Sequence, residues 1–144
     1  MSYQTTNSDF MAALSTVKYH LKPKGIFIFD CWYGPAVLTD RPTVRVKRLE
    51  DDNIKITRVA EPILHPKMNC VDVHYTVFVT DKKTGMVQEI HETHTMRYLF
   101  STEVELLLAN AGFNIIAREG WITKKPLGFD TWGGLFICRL KPLL

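Results

Sequence analysis

The sequence has few cysteines and lacks the motifs of the common catalytic sites. Its three cysteines, Cys31, Cys70 and Cys138, lie far apart in apolar segments. An odd number at this spacing favours neither a disulfide framework nor a metal knuckle, so we expect reduced core residues of a cytoplasmic protein. The chain contains no Gly-x-Ser-x-Gly elbow, no Walker loop and no Gly-x-Gly-x-x-Gly after a predicted strand. Hydrolase, P-loop and dinucleotide sites built on these motifs are therefore not expected.

Long hydrophobic runs and a strong charge excess are also missing. No apolar stretch approaches the ~20 residues needed to span a bilayer, and no signal peptide opens the chain, so we expect no membrane partner. The formal net charge is only +3 over 144 residues. The alternating basic residues at 45–48 are typical of a solvated strand face, so we expect no nucleic-acid partner. A composition of 46% hydrophobic and 23% charged residues predicts one folded domain with a core of its own.

Five histidines raise the question of a metal site. His91 and His94 lie three apart in a predicted strand, so their side chains point to opposite faces and cannot share an ion. His74 and His91 could be cross-strand neighbours, but no acidic or sulfur ligand is obviously placed to complete a site. We therefore predict no metal.

The stretch around which the chain is organised is residues 21–32, LKPKGIFIFDCW. Pro23 and Gly25 predict a helix stop, with Gly25 taking a positive φ. The unbroken apolar run at residues 26–29 then predicts a strand covered on both faces, as in a parallel sheet. Ligands bind at the carboxyl ends of strands in open α/β sheets, so the residues that follow Asp30 are the first place to look for a site.

The remaining segments predict an α/β protein with a β-rich insertion. Asn7 or Ser8 caps a first helix, whose apolar residues recur at helical spacing. From residue 43 to 99 the pattern has period two and predicts about four antiparallel strands. A helix follows, with capping-box spacing between Thr102 and Glu105, and then two strands joined by a long loop. In this reading Gly133 forms a turn before the last strand.

Aromatic and polar residues collect at the predicted strand ends. Such residues can wall a pocket for a small polar ligand. Packing in the core is at least an equal explanation for Trp121 and Trp132, whereas Trp32 and Tyr33 leave the sheet at its ligand-binding edge and favour a site. The full set is Tyr3, Gln4, Asn7, Trp32, Tyr33, Tyr98, Trp121 and Trp132.

Several motifs together resemble a known family. They are SYQTTN, LKPKGIFIFDCWYGPAV, HETHTMRYLFSTEVELLLANAGF and the closing strand pair. This combination resembles the C-terminal half of class I S-adenosylmethionine-dependent methyltransferases, and within them the amino-sugar N-methyltransferases with a β-rich insertion. The chain departs from the family at Lys24, where a second glycine is usual. It also lacks the first half of the fold, with the glycine-rich loop and the acidic residue that holds the ribose.

The resemblance implies methyl transfer from S-adenosylmethionine to a small-molecule acceptor. It implies that Met1 and Ser2 lie near the cofactor and that Tyr3 hydrogen-bonds or deprotonates the acceptor. Binding of the acceptor would then fall to a set of five residues. These are Gln4, Trp32, Tyr33, His94 and Arg97, the last of which could bind an anionic group or be a solvated strand charge.

We therefore predict the C-terminal part of a Rossmann-like methyltransferase sheet in a single partial domain, with residues 1–35 and 100–144 as its α/β part and residues 43–99 as its insertion. The chain alone is expected to be inactive, whether it is a fragment, a split gene, a mis-called start or one of two complementary halves. A second hypothesis is a non-catalytic module that pairs its sheet edge with another copy, a homo-oligomer, or with another chain. A third is a β-rich ligand binder unrelated to methyl transfer.

Overall fold

The computed structural model describes residues 1–142, which divide into two compact units. One unit consists of residues 1–41 and 96–142, and the other is Pro42–Thr95. The elements in chain order are α1 (Asn7–His20), β1 (Ile26–Tyr33), α2 (Gly34–Thr39), β2 (Arg45–Glu50), β3 (Ile54–His65), β4 (Cys70–Asp81), β5 (Val87–Leu99), α3 (Ser101–Asn110), β6 (Phe113–Gly120) and β7 (Gly133–Leu140).

The strands follow one hydrogen-bonding order, β2-β3-β4-β5-β1-β7-β6. In the first unit, β1 pairs in parallel with the end of β5, with Trp32 opposite Tyr98. On its other side β1 pairs with β7 in antiparallel fashion along residues 26–32, and β7 pairs with β6. These pairings confirm the predicted mixed α/β sheet that ends in an antiparallel strand pair.

The core of the first unit lies between one face of this sheet and the helices α1 and α3. Both helices have buried apolar positions at helical spacing, among them Phe10 and Leu108. Phe29 packs edge-on against Phe10 and stacks on Phe136, with ring centroids 6.1 and 5.4 Å apart. Such aromatic side chains bury large apolar areas, so this cluster fixes the position of β1 under the helices.

The other face of β1 is not covered, which corrects the predicted strand with two buried faces. Ile26 is 50% exposed and Ile28 is 56% exposed, whereas Phe29 and Cys31 are buried. The described residues therefore bury alternate side chains of this strand. An apolar run without alternation indicated two covered faces, but the described part of the chain covers only one.

The ends of α1 also differ from the prediction. Thr6, not Asn7 or Ser8, is the N-cap: its hydroxyl accepts the Asp9 N–H at 3.1 Å, and the Asp9 carboxylate accepts the Thr6 N–H at 3.3 Å. After the helix, the positive φ falls on Lys24 (64°) and not on Gly25. Gly25 is needed for space, because a Cβ there would come within 2.8 Å of the Lys22 carbonyl oxygen.

Three further element boundaries depart from the sequence reading. The chain continues from β1 directly into α2, with Pro35 in the first turn, where its missing N–H costs nothing. Helix α3 begins one residue before Thr102, and it is Glu103 whose carboxylate accepts the Phe100 N–H. Gly133 lies in β7 and does not form a turn.

The second unit contains the predicted meander. β2 pairs with β3 and β3 with β4, both antiparallel, and β5 is the next strand in order. The loop between β4 and β5 is closed by Asp81, whose carboxylate accepts the N–H groups of Lys83 and Thr84, and by Gly85 at a φ of 72°. The β2 side chains are all exposed. None of the helices in residues 1–142 has the length and hydropathy needed to cross a bilayer.

Candidate functional site

The first four residues lie at the carboxyl end of β1. The Met1 nitrogen donates to the Asp30 carbonyl oxygen at 2.6 Å, and the Trp32 N–H donates to the Ser2 hydroxyl at 2.7 Å. On the other side, the Arg97 N–H donates to the Ser2 carbonyl oxygen at 2.7 Å. Met1 and Ser2 are thus held between β1 and the end of β5, at the sheet edge where α/β proteins bind ligands.

Tyr3 is presented to solvent at this edge. The Gln4 N–H donates to the Met1 carbonyl oxygen at 3.0 Å and closes a turn around it. Tyr3 is 61% exposed, whereas Ser2 is 4% exposed. A phenolic hydroxyl in this position can donate or accept a hydrogen bond to a ligand at the end of β1.

Trp32 and Tyr33 have different environments. Trp32 is half-buried, and its ring meets that of Trp132 edge-on at a centroid distance of 5.3 Å. Tyr33 is nearly buried, with its hydroxyl oxygen 3.3 Å from the Ser101 hydroxyl. Trp32 can therefore form a wall of a site, whereas the Tyr33 hydroxyl contacts α3 within the fold.

Arg97 is buried and joins the N-terminal segment to both helices. Its Nη2 donates to the Asn7 side-chain oxygen at 2.6 Å and also contacts the Glu103 carboxylate. Only 6% of its side-chain surface is exposed, and its Nε and Nη1 have no hydrogen-bond partner among the described residues. The sequence left two alternatives for Arg97, a solvated strand charge or a residue that binds an anionic group of the acceptor. Its side chain is not solvated, and its Nη2 already contacts Asn7 and Glu103.

His94 belongs to the second unit, where polar side chains join β3, β4 and β5. Its Nε2 lies 3.2 Å from the Glu92 carboxylate, and its ring contacts Tyr75 edge-on. Nearby in the same unit, the Asp72 carboxylate accepts the Thr95 hydroxyl at 2.6 Å and contacts His65 Nε2 at 2.8 Å. The Thr95 hydrogen bond, followed by that of His65, lowers the pKa of Asp72 below its ordinary value.

Neither of the two cysteines of the first unit is suited to nucleophilic chemistry. Burial raises the pKa of Cys31 to about 12 and that of Cys138 to about 11. Because the thiolate is the reactive form, both side chains are inert near neutral pH. Within residues 1–142, no group of three His, Cys, Asp or Glu side chains is placed to hold a metal ion.

The structure thus brings Met1, Ser2, Tyr3, Gln4 and Trp32 together at one sheet edge. Sequence reasoning missed the contact that Arg97 makes with Asn7 and Glu103. The available signal was the position of an arginine among the inward-facing apolar residues at the end of a strand, where a buried charge needs a partner.

Comparison with known proteins gives the class of this fold. The chain is 24% identical over 120 residues to the dTDP-3-amino-3,4,6-trideoxy-α-D-glucopyranose N,N-dimethyltransferase of Streptomyces venezuelae, a match that covers 83% of the chain and 49% of the relative. Its structure is similar to an S-adenosylmethionine-dependent methyltransferase from Clostridium acetobutylicum, with a TM-score of 0.77, 20% identity, and coverage of 98% of this chain and 55% of that one. The structure of DesVI from Streptomyces venezuelae gives a TM-score of 0.74, 21% identity, and coverage of 98% and 54%. No family model matches the sequence.

The described residues therefore have the fold of about half of an S-adenosylmethionine-dependent methyltransferase, and their element order is consistent with the C-terminal half. The chain spans about half the length of the curated relative and of the solved structures that it matches. By its name, the curated relative is an N,N-dimethyltransferase of an amino sugar.

The residues present fit only a small part of a site for S-adenosylmethionine. Met1 and Ser2 lie at the expected sheet edge, but the Ser2 hydroxyl already accepts the Trp32 N–H, and Ser2 is almost completely buried. The sequence has no glycine-rich loop after a strand that could approach the cofactor's nucleoside and carboxylate groups. These residues do not make a complete cofactor site by themselves.

Proposed function

We propose that this chain is the acceptor-binding half of an S-adenosylmethionine-dependent methyltransferase that acts on the amino group of a small sugar. The observation that carries the proposal is the position of Tyr3, exposed at the carboxyl end of β1 in a methyltransferase fold. The name of the matched dimethyltransferase, which specifies a nucleotide-linked amino sugar, supplies the substrate class. The cofactor, when bound by the complete enzyme, supplies an activated methyl group.

In this proposal each residue at the sheet edge has a separate task. Tyr3 hydrogen-bonds the acceptor nitrogen, and its exposed hydroxyl relays to solvent water the proton that this nitrogen loses on methylation. Trp32 excludes water from one side of the acceptor. Gln4 directly follows Tyr3 and offers its side-chain amide to a sugar hydroxyl. Alignment and removal of water account for much of the rate of such a displacement, and a positioned acid or base adds about 10²- to 10⁴-fold.

For Arg97 and Tyr33 we propose supporting roles in place of the predicted contact with the acceptor. Arg97 orders the segment that carries Tyr3, because its backbone N–H binds Ser2 and its guanidinium binds Asn7 at the two ends of that segment. Tyr33 supports the same end of β1 through the contact of its hydroxyl with Ser101 of α3. His94 lies beside Glu92 in the second unit, and its role in binding the acceptor stays a prediction from the resemblance.

The proposal is tested with the chain joined to a cofactor-binding half, supplied with S-adenosylmethionine and a nucleotide-linked amino sugar. Mass spectrometry of the product is expected to show one or two added methyl groups. Tyr3→Phe is expected to lower kcat by about 10²-fold or more, with little change in thermal stability because the side chain is exposed. Tyr19→Phe, which alters another exposed tyrosine on α1, serves as the matched control. Equal rates for Tyr3→Phe and Tyr19→Phe would remove Tyr3 from the site.

A further inference from the structure

β1 has an open hydrogen-bonding edge in the described part of the chain. β7 pairs with one edge along residues 26–32, whereas on the other edge β5 reaches only Trp32 and Tyr33. The Asp30 carbonyl oxygen and the Trp32 N–H point to this second edge, because they bind Met1 and Ser2 there. Peptide groups of alternate residues point to the same side of a strand, so those of Ile26 and Ile28 face the open edge too.

The same residues carry an uncovered apolar face. Ile26 and Ile28 are 50% and 56% exposed. In the register of the sheet, Ile28 lies opposite Ile137, and Ile137 lies opposite Ala117, so these side chains share one face. The helices α1 and α3 pack on the opposite face, where Phe29 and Phe136 are buried. An exposed apolar sheet face beside an open strand edge is a feature of an interaction surface.

Met1 and Ser2 indicate the direction in which a strand would run beside the open edge of β1. Met1 binds at Asp30 and Ser2 binds at Trp32, so this short segment runs parallel to β1 and fills the carboxyl end of its edge. The open part, beside Ile26 and Ile28, lies on the side from which such a parallel strand would arrive. A parallel neighbour needs a crossover connection, which usually includes a helix that covers a sheet face.

A second copy of the chain fits this surface less well. Two copies related by a two-fold axis would join their equivalent edges in antiparallel fashion. Met1 and Ser2 occupy the carboxyl end of the edge, so only the peptide groups of Ile26 and Ile28 and the Asp30 N–H would take part. Edge pairing would also leave the face of Ile26, Ile28 and Ile137 exposed on both copies. An α/β partner supplies both a strand for the edge and a helix for the face.

We propose that the open edge of β1 and the face formed by Ile26, Ile28 and Ile137 bind the cofactor-binding half of a methyltransferase. That half contributes a parallel strand next to Ile26 and Ile28 and an apolar helix over their side chains. This inference rests on the proposed function for the nature of the partner, and the length of the matched relatives supports it, since about half of each lies outside the match.

The test uses this chain and, as a separate polypeptide, the half of the Streptomyces venezuelae N,N-dimethyltransferase that lies outside the match. Light scattering is expected to show a 1:1 complex, in which amide exchange at Ile28 and Asp30 slows at least tenfold. Ile28→Glu is expected to weaken association at least tenfold. Ile63→Glu is the matched control, because Ile63 is also a strand isoleucine, 51% exposed, in the second unit.

A fused polypeptide, with the same half placed before Met1, repeats the exchange measurement at a high effective concentration. The proposal is supported if amide exchange at residue 28 is slow both in the complex of separate halves and in the fused polypeptide. The Ile28→Glu variant, but not the Ile63→Glu variant, should then lose this slow exchange. A homodimer joined through β1, unchanged exchange at Ile28 in the fused chain, or equal effects of the Ile28 and Ile63 variants overturns it. The readout is assembly, so a complex that forms without transferring methyl groups would refute the proposed function and leave the docking surface in place.

Discussion

At the scale of single residues, the exit from α1 shows a local conflict between sequence and backbone. Lys24 adopts a φ of 64°, in the left-handed region that costs an ordinary residue about 1–2 kcal/mol. The following Gly25 has a different role, since a side chain there would meet the Lys22 carbonyl oxygen. Lys24 is also the residue at which the sequence departs from the family that it resembles.

Lys24→Gly is therefore expected to stabilise the protein. The gain from relieving the left-handed backbone exceeds the added flexibility of glycine in the unfolded chain, and we expect about 0.5–1 kcal/mol more free energy of unfolding. Denaturant unfolding measures the change. Lys22→Gly is the control and is expected to destabilise the protein, because the positive-φ residues do not include Lys22. A lower stability of Lys24→Gly than of the parent chain would show that φ at Lys24 is not the source of strain.

Arg97 provides a second test at the residue scale. Its guanidinium is buried, so removing its acidic partner leaves a charge without compensation in the interior. We expect Glu103→Gln to lower the free energy of unfolding by about 3 kcal/mol. Glu105→Gln breaks the exposed pair with Arg118 and is expected to cost less than about 1 kcal/mol. Thermal unfolding of both variants checks the difference, and equal costs would contradict the burial of Arg97.

At the scale of elements, the sequence predicted most helices and strands but not how β1 is covered. The period-two pattern of β4 and β5 and the helical spacing in α1 were sufficient to identify those elements. The apolar run of β1 indicated two buried faces, yet Ile26 and Ile28 are exposed because the described chain supplies helices on one face only. Burial depends on what packs against a strand, and that information lies outside the strand's own residues.

The candidate site was predictable to a similar degree. The strand pattern predicted only that a site follows Asp30 at the end of β1, and the family resemblance predicted the involvement of Met1, Ser2 and Tyr3. The structure places these residues together at that end of β1, and their roles stay predictions. The contacts of Tyr33 and Arg97 were not predictable, because they depend on how the helices pack beside the strands. Tyr33 contacts Ser101 of α3, and Arg97 contacts Asn7 of α1 and Glu103 of α3.

The hydrogen bonds between β4 and β5 lead to a prediction on pH. The folded chain lowers the pKa of Asp72, so the carboxylate stabilises the fold at pH values above its unfolded pKa of about 3.9. This stabilisation is lost as the pH falls through the lower, folded pKa. Thr95→Val removes the largest cause of the shift and is expected to reduce the loss of stability on acidification below about pH 4. Thr93→Val, which removes the hydroxyl that contacts His74, is the control.

Urea unfolding between pH 2 and pH 6 measures this effect. The parent chain and Thr93→Val are expected to show the same slope of stability against pH, whereas Thr95→Val shows a shallower one. Identical slopes for all three proteins would mean that the Thr95 hydroxyl does not lower the pKa of Asp72.

At the scale of the whole molecule, the main observation is that the chain spans about half the length of the proteins that it matches. Its fold matches about half of a solved methyltransferase structure, with a TM-score of 0.77 over 98% of this chain. The residues at the end of β1 make only a small part of a cofactor site, and binding of the acceptor is their proposed role. In the proposed function, binding of the cofactor therefore needs a second half.

Calorimetric titration with S-adenosylmethionine tests this claim most directly, first with the chain alone and then with the chain joined to a cofactor-binding half. The account predicts no saturable heat for the chain alone and stoichiometric binding for the joined protein. Tight, stoichiometric binding by the chain alone would contradict it.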